Sequence, residues 1–131
     1  MRLLLDTHVW IWSLLEPARL NRRARSALRS ESNELWLSSI SVWELLVLVE
    51  KGRLRLASPA DAWVESALEA APLREAPVTH AIARASRRVV LADGDPADRF
   101  IAATALVLDL ALLTADARLL ATPGVTVVRA G

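Results

Sequence analysis

Four carboxylates stand out by where they fall in the chain: Asp6, Glu44, Asp98 and Asp116. Asp6 closes an N-terminal run of three leucines, and Asp116 follows the apolar run at 110–114. Glu44 comes early in an apolar stretch after the run at 35–38, and Asp98 lies three residues after Asp95 in Asp95-Pro96. Brought together with no lysine among them, such groups repel one another unless a cation sits between them. Mg2+ or Mn2+ suits that place, being a hard cation that prefers oxygen ligands and retains several waters.

Each acid also has a structural role open to it. Ser41-x-x-Glu44 matches a capping box, in which Glu44 would reach back to a backbone N–H. Asp95 before Pro96 reads as a helix N-cap, and Asp98 then falls in the first turn, where an acid favours the helix dipole. Asp116 can cap a short helix over 117–120. For Asp6 no such role is evident, since a carboxylate that ends a strand of leucines needs a partner.

Other chemistries fit less well. His8 and His80 would make an acid–base pair for metal-free RNA cleavage, but nothing brings them together, and His8 is better placed to order a loop after Asp6. Ser38, Ser39 and Ser41 lack a GxSxG elbow and read as caps or hydrogen-bond partners of the acids, as do Thr7 and Thr114. A haloacid-dehalogenase-like phosphatase would want a second Asp where His8 stands, and a phosphorylation receiver a lysine after a late strand. The Arg22, Arg25, Arg29 stripe and the Arg84, Arg87, Arg88 cluster can track an RNA backbone, although such runs are more often solvated faces. Arg99, next to Asp98, can meet a substrate phosphate or pair with Asp95. The five tryptophans (Trp10, Trp12, Trp36, Trp43 and Trp63) read as core and dimer anchors rather than stacking platforms.

The elements that must position the acids can be read from periodicity. Residues 2–6 (RLLLD) and 35–38 (LWLS) have the pattern of buried strands, and residues 9–15 read as a helix ending before Pro17. Leu20, Ala24, Ala27 and Leu28 keep helical spacing. Residues 41–51 are apolar nearly all round except at Glu44 and Glu50 and end at Gly52, which predicts a helix buried on most sides. Ser58-Pro59 offers an N-cap and an N1 proline to a helix over 60–70. A short strand is expected at 73–76 and a helix at 79–88 with Ile82, Ala85 and Val89 inward. The strongest helix runs from Asp95-Pro96 to about Asp109, with strands at 110–114 and 125–129. This alternation predicts a single α/β domain with a central parallel sheet and helices on both faces, binding ligands outside the carboxyl ends of its strands.

Composition agrees. With 131 residues, 53% of them hydrophobic, the chain suits one folded domain and excludes disorder. A net charge of +1 gives no bulk attraction to nucleic acid, so any polyanion site must be local. The lack of cysteine excludes disulfides, thiolate zinc sites and cysteine nucleophiles, and suits a cytoplasmic protein. Mean hydropathy is +0.31, but the most apolar stretch, 100–115, is broken by Asp109, whereas a span needs about 20 mostly apolar residues. Asp6 and His8 likewise interrupt any signal-peptide core. No membrane segment is expected. The apolar excess reads as a dense core plus an interface with another chain.

LLLDTHVWIW, SSISVWELLVLVEKGRLRL and DGDPADRFIAATALVLDLALLTAD, in this order and spacing, resemble the PIN-domain superfamily, specifically VapC-type toxins of toxin–antitoxin pairs. The resemblance runs from Arg2 to about Val128. It departs at Ala97, where many relatives carry a bulkier residue. By motif, Asp6 matches the acid ending the first strand, Glu44 that of the SSIxxxE segment, Asp98 that before the IAATA helix, and Asp116 that of the TxD segment. The resemblance implies a Mg2+- or Mn2+-dependent endoribonuclease whose catalytic and metal-ligating residues are Asp6, Glu44, Asp98 and Asp116. The ion would lower the pKa of a water for in-line attack on an RNA phosphodiester and offset charge on the leaving 3′ oxygen. The implied partners are an RNA substrate and a small antitoxin that silences the enzyme; the apolar excess and the tryptophans add a second copy in a homodimer. The alternative is a catalytically inactive PIN-like module that binds RNA or protein.

Overall fold

Leu3 and Leu5 must point to one side of an extended segment and Leu4 to the other, yet none of the three is more than 1% exposed. Arg2–Leu5 (β1) therefore requires cover on both faces and neighbours on both edges. The computed structural model, which describes residues 1–91 and 95–131, supplies them. β1 pairs with β2 (Glu34–Ser38) on one side and β4 (Ala111–Thr114) on the other. β3 (Leu73–Ala76) and β5 (Val127–Arg129) complete a sheet of order β3-β2-β1-β4-β5 in which all pairs are parallel. Asp93 and Gly94 of the DGDPADRF motif lie outside the described residues.

Helices cover both faces, as the alternation predicts. α1 (Thr7–Leu15), α2 (Arg22–Arg29), α3 (Ser39–Glu50) and α4 (Ala60–Ala70) pack over Leu3, Leu5, Leu35, Leu37 and Leu113. α5 (His80–Ser86), α6 (Pro96–Leu108) and α7 (Ala117–Leu120) pack with Leu4 and Leu112 on the opposite face. α6 stops at Asp109, whose left-handed φ of 54° turns the chain into β4. Among the described residues no helix is long and apolar enough to cross a membrane.

Three local expectations are corrected. Ser41 and Leu45 of α3 are buried and most of its other residues are half-buried, but Trp43 is 51% exposed, so one side of the helix faces outward. Its apolar circumference exceeds what one sheet face covers. Ser41-x-x-Glu44 is not a capping box: α3 starts two residues earlier, where the Ser38 hydroxyl accepts from the Ile40 N–H. At α4, Pro59 itself is the N-cap, with no side-chain cap.

Strand order decides where a ligand can sit. The chain leaves β1 for β2 and β3 on one side, then crosses to β4 and β5 on the other. The segments following β1 and β4 thus diverge at the carboxyl ends of two adjacent central strands, where open parallel sheets form a crevice.

Candidate functional site

Asp6 and Asp116 follow those two strands. Leu5 and Leu113 are register partners, and the Asp6 N–H donates to the Leu113 carbonyl at 3.0 Å. One residue further on, the Thr114 hydroxyl donates to Asp6 Oδ2 at 2.7 Å and accepts from the Asp116 N–H at 3.0 Å. Thr114 is wholly buried and Asp6 is 5% exposed. Burial raises the Asp6 pKa, against the lowering effects of Thr114 and the nearby His8.

Glu44 and Asp98 enter from α3 and α6. All four acids line one cleft of about 410 Å³, together with Asp95, His8, Trp12, Arg19, Ala115 and Arg118. Asp98 is 7% exposed, and its carboxyl is pushed up to about 7, first by burial and then by the charges of Asp95, Asp6, Glu44 and Asp116. Burial likewise raises Glu44. Its Oε1 is buried with no hydrogen-bond partner among the described residues. An orphaned carboxylate oxygen is costly and calls for an occupant beyond the chain.

Within the cleft the acids do not form one even ring. Among the described residues, one oxygen each from Glu44, Asp95 and Asp98 lie within 4.8 Å of one another, a spacing that one cation can bridge. Asp95 also caps α6, its Oδ1 accepting from the Asp98 N–H at 3.0 Å. The capping role is thus present, and the acidic cluster is present with it. Asp6 and Asp116 flank this trio. Asp116 caps α7 through the Arg118 N–H at 2.8 Å.

Sequence reading missed Arg118. Its Nη2 lies 3.0 Å from both Asp98 Oδ2 and Asp116 Oδ2, bridging α6 and α7. Asp116 is held below its usual pKa chiefly by this guanidinium. The chain itself therefore relieves the repulsion between Asp98 and Asp116, whereas at Glu44 the lowering effects of Thr7 and His8 do not offset burial. The available signal was Asp116-x-Arg118 at a helix start, where an arginine two residues past the cap can fold back onto it.

Other expectations sort clearly. His8 orders no loop, because α1 begins directly at Thr7; the exposed imidazole packs 5.9 Å from Trp12. Thr7 donates to the Ser41 hydroxyl at 2.8 Å, buried between α1 and α3. The half-buried Arg99 guanidinium makes no ion pair with Asp95 among the described residues and donates instead to the carbonyls of Val89 and Leu91. His80 and the Arg84, Arg87, Arg88 cluster lie exposed on or just beyond α5, and they do not line the cleft. Buried Trp10 packs against half-buried Trp63, whereas Trp12, on another face of α1, lines the cleft.

Comparison with known proteins agrees with this geometry. The PIN domain family model matches residues 3–125. Ribonuclease VapC22 of Mycobacterium tuberculosis (strain ATCC 25618 / H37Rv) is 38% identical over 117 residues, covering 88% of each chain. Among solved structures, DNA-bound VapBC from Salmonella typhimurium superposes with a TM-score of 0.72 at 20% identity, over 98% of both chains. FitAcB from Neisseria gonorrhoeae gives a TM-score of 0.63 at 28% identity, over 95% of both. With the family model matching most of the chain, and a relative 38% identical over 88% of it, the chain belongs to the PIN-domain family.

Proposed function

We propose that the protein is a metal-dependent endoribonuclease, the toxin of a toxin–antitoxin pair, acting in the cytoplasm. The observation that carries this reading is the cleft at the switch point, where Glu44, Asp95 and Asp98 crowd together and Glu44 Oε1 lacks a hydrogen-bond partner among the described residues. The likeness to Ribonuclease VapC22 supports RNA as the substrate. The likeness to members of VapBC toxin–antitoxin systems supports an antitoxin as the partner.

Asp6, Glu44 and Asp98, with Asp95 beside them, would hold Mg2+ or Mn2+. When bound, such an ion lowers the pKa of a water and offsets charge on the phosphodiester in the transition state. The chain's own groups prepare the site. By donating to the Asp6 carboxylate, Thr114 favours its ionised form against the opposing effect of burial. Asp116 contributes from the outer side, holding Arg118 against Asp98. Attack by water in place of the 2′-OH should leave products with 5′-phosphate and 3′-OH ends.

The test is incubation with total RNA, with metal and with excess chelator, followed by mapping of the cut ends. Cleavage that depends on metal and leaves 5′-phosphates is expected. Full activity in chelator, or 2′,3′-cyclic phosphate ends, would sink the mechanism. The partner assignment is tested by co-purification with the product of the adjacent gene. The exposed Trp43 and the uncovered side of α3 support a homodimer, to be checked by light scattering at micromolar concentration.

A further inference from the structure

Two guanidinium groups line the acidic cleft, and they are engaged differently. Arg118 is bound to Asp98 and Asp116. Arg19 makes no ion pair with any acid of the cleft among the described residues. Its Cζ sits 4.2 Å from the centroid of the half-buried Trp12 ring. Its contact with Glu16, at 3.8 Å between two exposed side chains, contributes little. The Trp12 ring is itself buttressed by His8. A guanidinium stacked on an aromatic ring keeps its in-plane N–H donors available, in a fork that matches two phosphate oxygens.

Such a cation answers an electrostatic difficulty. Asp6, Glu44, Asp95, Asp98 and Asp116 make the cleft hostile to a polyanion, and the net charge of +1 supplies no compensating field. A bound ion can offset the acids at the cleaved bond, but a neighbouring phosphate needs a cation that the acids have not already taken. We propose that Arg19, held in place by Trp12, binds the RNA backbone phosphate flanking the cleaved bond, with Trp12 as its positioning residue. This rests on the ribonuclease reading.

The experiment compares Arg19→Ala, Arg19→Lys, Trp12→Leu, Trp12→Phe and the Trp12→Leu/Arg19→Ala double variant. One arm measures KM and kcat on a short RNA that the wild type cuts. The other measures binding of a fluorescein-labelled single-stranded RNA across salt concentrations in an Asp98→Asn background. Arg19→Ala should raise KM about tenfold or more, the scale of one lost charge-assisted bond, while kcat changes little. Its log–log salt dependence should be shallower by about 0.7, the value for one phosphate on a single strand. Trp12→Leu should move both readouts the same way, Trp12→Phe should restore them, and the double variant should be no worse than Arg19→Ala. If Arg19→Ala does not fold, Arg19→Lys decides, because it keeps the charge but loses the stacked fork and should still raise KM. Unchanged KM, affinity and salt slope in the folded Arg19 variants overturn the proposal. So does an Arg19→Ala protein that binds RNA normally but no longer retains its partner protein, which would make Arg19 a protein contact. If the wild type cuts no RNA, the ribonuclease reading falls on that result alone, and the binding arm still decides for or against Arg19.

Discussion

At the scale of single residues, the site is a set of carboxylates held under tension by the fold. Asp98 shows it most clearly, with a carboxyl pushed up to about 7 by burial and four neighbouring acids. In the folded, metal-free protein it binds a proton more tightly than in the unfolded chain, where the ordinary value near 3.8 applies. Stability should therefore fall as pH rises from about 4 to about 7 and level off above that. Asp6 and Glu44 are displaced in the same direction, so Asp98→Asn should reduce this slope without abolishing it. The same variant should lose activity by orders of magnitude, while its metal-free Tm at pH 8 rises by about 2–6 °C as repulsion is relieved. Asp95→Asn keeps the Oδ1 that caps α6 but removes a charge from the trio, so its activity should fall less steeply, by about tenfold. Activity preserved in both variants would mean that the trio holds no ion.

At the scale of elements, the site depends on the register between β1 and β4. Thr114 is the joint: its hydroxyl serves Asp6 on one strand end and the Asp116 N–H on the other. Thr114→Val keeps the shape but leaves two buried polar groups without their partner, at a cost of about 1–3 kcal/mol. Urea unfolding should show that loss, and Thr114→Ser should recover most of it; equal stability of the valine and serine variants would dismiss the joint. The four acids and the alternation of strands and helices were legible in the sequence because each depends on local pattern, a polar residue ending an apolar run or a change of period from two to 3.6. Strand order was not, since β1 meets β4 across more than 100 residues and no local signal records which strands pair. Arg118 escaped notice for a related reason. Its bond to Asp116 is local, but its bond to Asp98 exists only once α6 and α7 are packed. Ser41-x-x-Glu44 misled because the capping pattern is short enough to occur inside a helix whose true cap, Ser38, lies three residues earlier.

At the scale of the whole molecule, the acidic trio joins the two halves of the sheet. Glu44 rides on α3, which follows β2 on one side of β1, whereas Asp95 and Asp98 belong to the start of α6, which leads into β4 on the other. An ion held between them exists only in the folded chain, so its binding free energy adds to global stability: about 2.7 kcal/mol when free metal is a hundred times the dissociation constant. For a chain of this size that corresponds to a Tm rise of about 5–10 °C. An ion held by the trio would need Asp98 ionised and would compete with a proton below about pH 7. The two pH dependences therefore oppose each other. Without metal the protein loses stability as pH rises toward 7, and with Mg2+ or Mn2+ that loss should shrink or reverse. Melting curves taken from pH 5 to 8, with saturating metal and with chelator, should lie close together at the acid end and separate progressively above pH 6. Asp98→Asn should collapse the separation. A metal-induced shift of equal size at pH 5 and pH 8 would show that the ion binds elsewhere, and no shift at any pH would remove it from the cleft altogether.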